Sequence, residues 1–312
     1  MNYDIIIIGA GPAGLTAAIY GCRASKKVLV LEAKSYGGQI INTPEIENYP
    51  AAAHISGFEF ATNLYNQAKD LGAEIKFEKV VEIRAGEAYA KSDGSPILKE
   101  VITGKNTYTA GAVIIATGSE SRKLALPGED ELIGKGISYC ATCDGAFFRG
   151  KTVAVVGGGN TALEDALYLT NLAAKVYLIH RRDEFRGEEK TASMLKEHEN
   201  IEFVYNSRVT GLASSDRLTG IEVTNNDGEK REIAVDGLFV AIGRNPENQN
   251  FASLVKLDDA GYVIAGEDCK TNAPGIFTAG DNRTKEVRQL VTAAGDGAVA
   301  ATAAIKFLNE MN

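Results

Sequence analysis

One glycine pattern, met twice in these 312 residues at the same spacing, limits the chain more than any other feature. Tyr3 to Ile8 is a short β-branched run, of the kind expected for a strand covered on both faces in a parallel sheet. Gly9-Ala10-Gly11-Pro12-Ala13-Gly14 follows at once, then a helix-like stretch from Leu15 to Ala24 and a strand from Val28 to Leu31 that ends in Glu32. Strand, glycine turn, helix, strand and acid together make a dinucleotide-binding unit. Gly9 permits the tight turn, Gly11 lets backbone approach a pyrophosphate, and Gly14 lets helix and strand pack closely. Phosphates at a helix N-terminus meet free N–H groups and a favourable dipole. Glu32 is placed to accept hydrogen bonds from ribose hydroxyls.

The second copy runs from a strand, Lys151 to Val156, through Gly157-Gly158-Gly159-Asn160-Thr161-Ala162 and a helix to about Ala173, to a strand from Val176 to Ile179. Ala162 replaces the third glycine, which the pattern tolerates. His180 falls where Glu32 fell. The acid that would repel a 2′-phosphate is gone, and His180-Arg181-Arg182 stands there with Arg186 four residues on. Arginine suits bidentate phosphate recognition, so this copy is expected to prefer NADP(H). The plain alternative is a solvated basic cluster on a surface turn.

Between the copies lies Cys140-Ala141-Thr142-Cys143-Asp144. Two thiols three positions apart can hold two electrons as a disulfide and release them as thiols. Asp144 can supply or remove the proton that such an exchange needs. A Cys-x-x-Cys beside a nucleotide-binding pattern reads as redox-active. A zinc half-site or a structural bridge is the other choice. Zinc needs four ligands, and Cys22, Cys269, His54, His180 and His198 are scattered. Cys22 reads as a packed core thiol.

The formal charge of −8 argues against nucleic acid as a partner, and four cysteines do not make a secreted disulfide framework. Ile5 to Cys22 carries no charge, yet Asp4 precedes it and glycine and proline interrupt it, so neither a signal peptide nor a membrane span is expected. The expectation is a soluble cytoplasmic protein.

The remaining segments can be placed coarsely. Ser35 to Pro50 is irregular; its Gly37-Gly38 step can pass close to a ligand, and Gln39 and Asn48 offer amides, although a plain surface loop would look the same. Phe58 to Leu71 reads as a helix. Ile75 to Tyr108 reads as a β-meander with turns at Asp93-Gly94 and Gly104-Lys105, and Ala112 to Gly118 as a separate buried strand carrying Thr117 and Gly118 at its end. Ile201 to Val240 reads as a second meander with a turn at Asp227-Gly228, and Leu238 to Gly243 mirrors the earlier buried strand. Gly275 to Asp281 is a strand ending on an acid, which either reaches the first cofactor or caps its own strand. An alanine-rich helix follows Arg288-Gln289.

These motifs in this order resemble the bacterial low-molecular-weight thioredoxin reductases along essentially the whole chain. The matching residues are Gly9 to Gly14, Gly37-Gly38-Gln39, Glu47-Asn48-Tyr49-Pro50, Ala116-Thr117-Gly118, Cys140 to Gly145, Gly157 to Ala162, His180-Arg181-Arg182, Arg186, Gly280-Asp281 and Arg288-Gln289. The resemblance implies an α/β protein of two Rossmann-like three-layer domains, the second inserted into the first. An FAD domain would comprise residues 1–117 and 244–312, and an NADPH domain carrying the disulfide would span 118–243. It also implies a homodimer, and a rotation of one domain against the other about the two crossings. By the family pattern, hydride passes from NADPH to the flavin, which reduces Cys140–Cys143. Cys143 would face the flavin, Cys140 would attack thioredoxin or a thioredoxin-like protein, and Asp144 would be the acid/base. Ala146-Phe147-Phe148 resembles the family's docking segment, with Ala at its first position where some relatives have Phe. Variants of the reading keep the chemistry with a peroxidase-system or glutaredoxin-like partner, or take electrons from ferredoxin.

Overall fold

Isoleucine dominates the first strand, β1 (Asn2–Ile8), because both of its faces are covered: Ile5, Ile6 and Ile7 are wholly buried. The computed structural model describes residues 2–52, 54–84 and 98–311. From β1 the chain passes through α1 (Pro12–Arg23), β2 (Val28–Glu32), α2 (Gly57–Asp70) and β3 (Glu74–Phe77). β2 pairs parallel with both β1 and β3. β4 (Val80–Arg84), β5 (Lys99–Thr103) and β6 (Thr107–Ile115) then pair antiparallel in sequence, and β6 returns parallel to β1. A short strand β7 (Ser119–Ser121) follows.

Two expectations are corrected here. Ile75 does not open the meander; it lies in β3, an added strand of the parallel sheet. Ala112 onward is no separate strand but the second half of β6. The first half of β6 alternates in exposure and serves β5, whereas Ala110 to Ile115 is buried throughout and serves β1. The turn at Gly104-Lys105 is formed, with Thr103 Oγ1 accepting the N–H groups of Lys105 and Asn106. The Asp93-Gly94 turn lies outside the described residues.

The next stretch repeats the plan. It contains α3 (Glu129–Leu132), β8 (Ile137–Ser138), α4 (Ala141–Asp144), β9 (Thr152–Gly157), α5 (Asn160–Thr170), β10 (Lys175–Ile179), α6 (Glu189–Lys196) and β11 (Ile201–Val204). Three antiparallel strands follow, β12 (Ser207–Ser214), β13 (Leu218–Asn225) and β14 (Lys230–Ala234), and then β15 (Gly237–Ala241). The parallel sheet has the order β11-β10-β9-β15-β8. Ile201 therefore repeats the error made at Ile75: the strand it begins joins the parallel sheet, not the meander. The Asp227-Gly228 turn is in place, its N–H groups at Asp227 and Glu229 held by Asn225 Oδ1.

β16 (Arg244–Pro246) pairs with β7, so the two crossings form a two-stranded ribbon. β17 (Ile276–Thr278) pairs parallel with β6, and α7 (Leu290–Glu310) ends the fold. By length and composition α7 could cross a membrane. Here its small-residue face, Ala293, Gly297, Ala300, Ala301 and Ala304, is buried, and a Cβ at Gly297 would strike the carbonyl of Ala13 on α1. The chain divides into two compact units, residues 1–120 with 245–312, and residues 121–244.

Candidate functional site

In the first unit the glycine turn has the shape its sequence demands. Gly9 has a φ of +107°, and a Cβ there would run into the Ala116 carbonyl. A Cβ on Gly14 would strike the carbonyl of Gly9, whereas around Gly11 there is open space. A close turn, a close helix and one open side are the three conditions for a bound pyrophosphate. α1 starts at Pro12 with no side-chain cap, which leaves first-turn N–H groups for an anion. Glu32 sits against this turn, accepting the Ala10 N–H at 2.7 Å and the Lys34 N–H at 2.8 Å.

The irregular stretch closes on the same place. Gly37 N–H bonds the Ala10 carbonyl at 2.8 Å, and a Cβ on Gly38 would lie 3.4 Å from Gly11 Cα. Gln39 is exposed in the 3-10 turn that follows. Asn48 donates to Gln289 Oε1 at 3.1 Å across 241 residues of sequence. Gln289 is also the N-cap of α7, in a reciprocal capping box with Thr292. Arg288 lies over the Tyr262 ring at 4.3 Å, and its Nε is buried without a hydrogen-bond partner among the described residues. Such an orphaned donor fits a ligand acceptor. Asp281 follows Gly280, whose Cβ would meet Ala13, so the end of β17 reaches the first turn of α1. Thr117, followed by Gly118, leaves the end of β6 and donates to Asn248 Oδ1 at 3.2 Å.

Sequence reasoning missed the side chains that hold these strand ends. Asn248 is fully buried and donates to the carbonyls of Gly261 and Asn282. Asn282, also fully buried, donates to Ile115 O and Thr278 Oγ1. Asp296 accepts from Gly280 N–H, from both Arg283 Nε and a second guanidinium nitrogen, and from Lys285 Nζ, all at 2.8–2.9 Å. Burial alone would raise the Asp296 carboxyl, but Arg283, Lys285 and the Gly280 N–H outweigh it and hold the group below the usual carboxylate range. None of these residues belongs to a spaced motif; only Asp296 stands out, as a charge inside the alanine-rich helix, whereas Asn248 and Asn282 lie in polar stretches.

The second unit has its own cradle. Gly157 has a φ of +155°, a Cβ there would strike the Ala241 carbonyl, and the space around Gly159 is open. α5 begins at Asn160, again with no side-chain cap at Gly159. Thr161 is exposed beside Asn160, whose Oδ1 accepts the Glu188 N–H. His180 differs from its counterpart Glu32. Its ring is buried over Gly158, where a Cβ would fall on the imidazole, and Nε2 meets the Glu184 carbonyl at 3.0 Å. Burial, with Arg181, Arg182 and Arg186 nearby, holds its pKa down against the Glu184 bond, so the ring is neutral at pH 7. The loop is pinned by Arg186 N–H to Gly158 O at 2.7 Å. The side chains of Arg181, Arg182 and Arg186 are exposed and form no ion pair among the described residues.

Cys140 and Cys143 are joined, S–S 2.05 Å, with Cys140 as N-cap of α4. Ser138 Oγ donates to Asp144 Oδ2 at 2.6 Å and accepts the Cys140 N–H at 3.1 Å. Of the apolar residues that follow, Ala146 and Phe147 are exposed, while Phe148 is buried against Phe239. Cys22 is half-buried and packs on the core of the first unit, as expected; Cys269 is fully buried.

Residues 3–297 match the family model described as pyridine nucleotide-disulphide oxidoreductase. The thioredoxin reductase of Listeria monocytogenes is 43% identical over 311 residues, 99% of this chain and 95% of that protein. The thioredoxin reductase of Bacillus subtilis is 42% identical over 312 residues, 99% of this chain and 96% of that protein. The crystal structure of thioredoxin reductase from Streptococcus pyogenes superposes with a TM-score of 0.92 at 38% identity, covering 99% of each chain. Over essentially its whole length, therefore, the chain belongs to the thioredoxin reductases of the pyridine nucleotide-disulphide oxidoreductase family.

Proposed function

We propose that this protein takes electrons from NADPH, through FAD, to the Cys140–Cys143 disulfide and on to the disulfide of thioredoxin. The observation that carries this is the closed disulfide with Asp144 held beside it, in the same unit as an open cradle followed by three exposed arginines. When bound, FAD supplies a two-electron carrier between nicotinamide and disulfide. Gly9, Gly11, Pro12, Ala13 and Gly14 would seat its pyrophosphate and Glu32 its ribose. Gly38, Gln39, Asn48, Thr117, Gly118, Asp281, Arg288 and Gln289 would line the rest. Gly157, Gly159, Asn160 and Thr161 would seat NADPH, with Arg181, Arg182 and Arg186 on the 2′-phosphate and the His180 ring as a wall.

Opening the disulfide takes two electrons and two protons and leaves two thiols. Cys140 gives its thiol proton to the Asp144 carboxylate and, as thiolate, attacks one sulfur of the substrate disulfide; that S–S bond breaks and the departing sulfur takes the proton back from Asp144. Cys143, losing its thiol proton, attacks the Cys140 sulfur and restores the Cys140–Cys143 bond, and the released second substrate sulfur takes up that proton. The exposed Phe147 beside this site offers apolar surface to a protein substrate. The same reading makes the protein a homodimer of the cytoplasm, a compartment that keeps thiols reduced.

The test is NADPH oxidation by the FAD-loaded protein with thioredoxin, against NADH and against Cys143→Ser. Fast NADPH-specific turnover that is lost in the variant is the expected result. Rapid flavin bleaching with slow thioredoxin reduction would move the substrate to another disulfide protein. No bleaching by NADPH would overturn the arginine argument in favour of a ferredoxin-type donor.

A further inference from the structure

Ser138 is a buried hydroxyl that the chemistry above does not use. It ends the two-residue strand β8, pairs with Phe239 of β15, and is only 4% exposed. Its neighbour Ile137 packs into one core of the unit, and Phe239 and Phe148 fill the other. A hydroxyl placed there has to be satisfied locally. Three groups surround it: Asp144 Oδ2 at 2.6 Å, the Cys140 N–H at 3.1 Å and the Cys140 carbonyl at 3.3 Å.

One hydroxyl proton serves one acceptor at a time. The 2.6 Å separation is that of a charge-assisted O–H···O⁻ bond, and the carbonyl is the longer and weaker choice. The proton therefore points to Asp144, while a lone pair of the same oxygen takes the Cys140 N–H. We infer that Ser138 is a positioning residue for the disulfide exchange, fixing the Asp144 carboxylate and the Cys140 backbone through a single oxygen. The inference rests on Asp144 being the acid/base proposed above. A bond donated to the charged form favours that form, so removing the hydroxyl should disfavour the charged carboxylate. Other charges near α4 are on α5 and at the crossing: Asp165, which accepts the Ala141 N–H, with Glu164 and Arg244 around it.

A serine that only satisfied the Cys140 N–H would act on stability and leave the acid/base untouched. The two roles separate in the full-length protein labelled with carboxyl-13C aspartate, the Asp144 resonance being assigned with Asp144→Asn. Ser138→Ala should raise the Asp144 titration midpoint by about one pH unit, the effect expected for one bond to a charged group. The corresponding limb of the pH profile for thioredoxin reduction should move with it. Ser138→Thr, which keeps the hydroxyl, should restore both. An Asp144 midpoint that is the same in wild type and Ser138→Ala overturns the inference, as does a folded Ser138→Thr no better than alanine. Should Ser138→Thr not fold, the alanine titration alone decides. If the wild-type protein reduces no thioredoxin, the proposed function fails, and the carboxyl titration, which needs neither cofactor nor substrate, still decides the role of Ser138.

Discussion

The two glycine cradles share a spacing, an open second glycine and an uncapped helix, and differ in the residues behind them. From first glycine to ribose-reading position is the same distance in both, yet Glu32 reaches back to the Ala10 N–H while His180 lays a neutral ring over Gly158. Gly14 is pressed against the Gly9 carbonyl, while Ala162, its counterpart, carries its methyl group in a fully buried place. The first turns differ accordingly, with φ of +107° at Gly9 and +155° at Gly157. A motif therefore specifies where a phosphate can sit; the residues behind the motif decide what else is recognised and how much room the helix has.

The largest test of that difference is a network present only in the first unit. Asp296→Asn leaves Arg283, 1% exposed, with the exposed Glu267 as its one remaining ion-pair partner among the described residues, and Lys285 with none. Breaking a buried pair from one side costs about 3–5 kcal/mol. We expect a loss of that order in chemical denaturation, and weaker FAD binding because the Gly280 N–H is released.

Next comes the third position of each pattern. Gly14→Ala should cost about 3 kcal/mol, since the intruding Cβ meets backbone and cannot be relieved by a rotamer. Ala162→Gly should cost only about 1 kcal/mol, the helix-propensity difference, plus a small cavity. Equal losses in the two variants would show that the turns are alike after all.

The cofactor difference is tested on the arginines. Replacing Arg181 and Arg182 with alanine removes charge-assisted contacts of about 2 kcal/mol, so NADPH should bind roughly 30-fold more weakly and NADH about as before. Titration of each nucleotide into the protein checks this directly.

The smallest effects separate the units by pH. Burial holds Lys99, in the first unit, down at about 8. Between pH 8 and about 10.5 the unfolded chain then binds more protons, and stability should rise with pH. Asp165, in the second unit, is pushed up to about 7, by burial first and then by Glu164, against the pull of Arg244 and the Ala141 N–H. Between about pH 4 and 7 the folded state binds the extra proton, so stability should fall as pH rises. Urea midpoints across each window should flatten in Lys99→Met and Asp165→Asn respectively.

Much of this molecule was legible in the order of its residues. Both cradles, the pairing of Cys140 with Cys143 and the adjacent Asp144 sit in runs short enough for spacing alone to dictate geometry. Buried parallel strands such as Val153 to Val156 announce themselves by continuous apolar character, because one face packs on α5 and the other on the three-stranded sheet β12–β14. The edge strands did not. β3 is exposed or half-exposed along its length and reads like part of a hairpin, and β11 is half-exposed in the same way. A four-residue strand at a sheet edge carries no mark of which neighbour it will join, or in which direction. β6 was divided in two because its pattern changes from alternating to wholly buried midway, a change set by its neighbours and not by a break in the strand.

Tertiary structure alone decided the polar supports. Asn248, Asn282 and Asp296 hold the ends of β6 and β17, and Ser138 meets Asp144, through bonds whose partners lie between 4 and 167 residues away. A buried polar group takes whatever partner the packed fold brings within 3 Å, and a linear sequence does not record that proximity. The sequence by itself determined where phosphates and two electrons can be held. Only the folded chain determined which side chains keep those places rigid, because hydrogen bonding depends on distance in space and motif spacing measures distance along the chain.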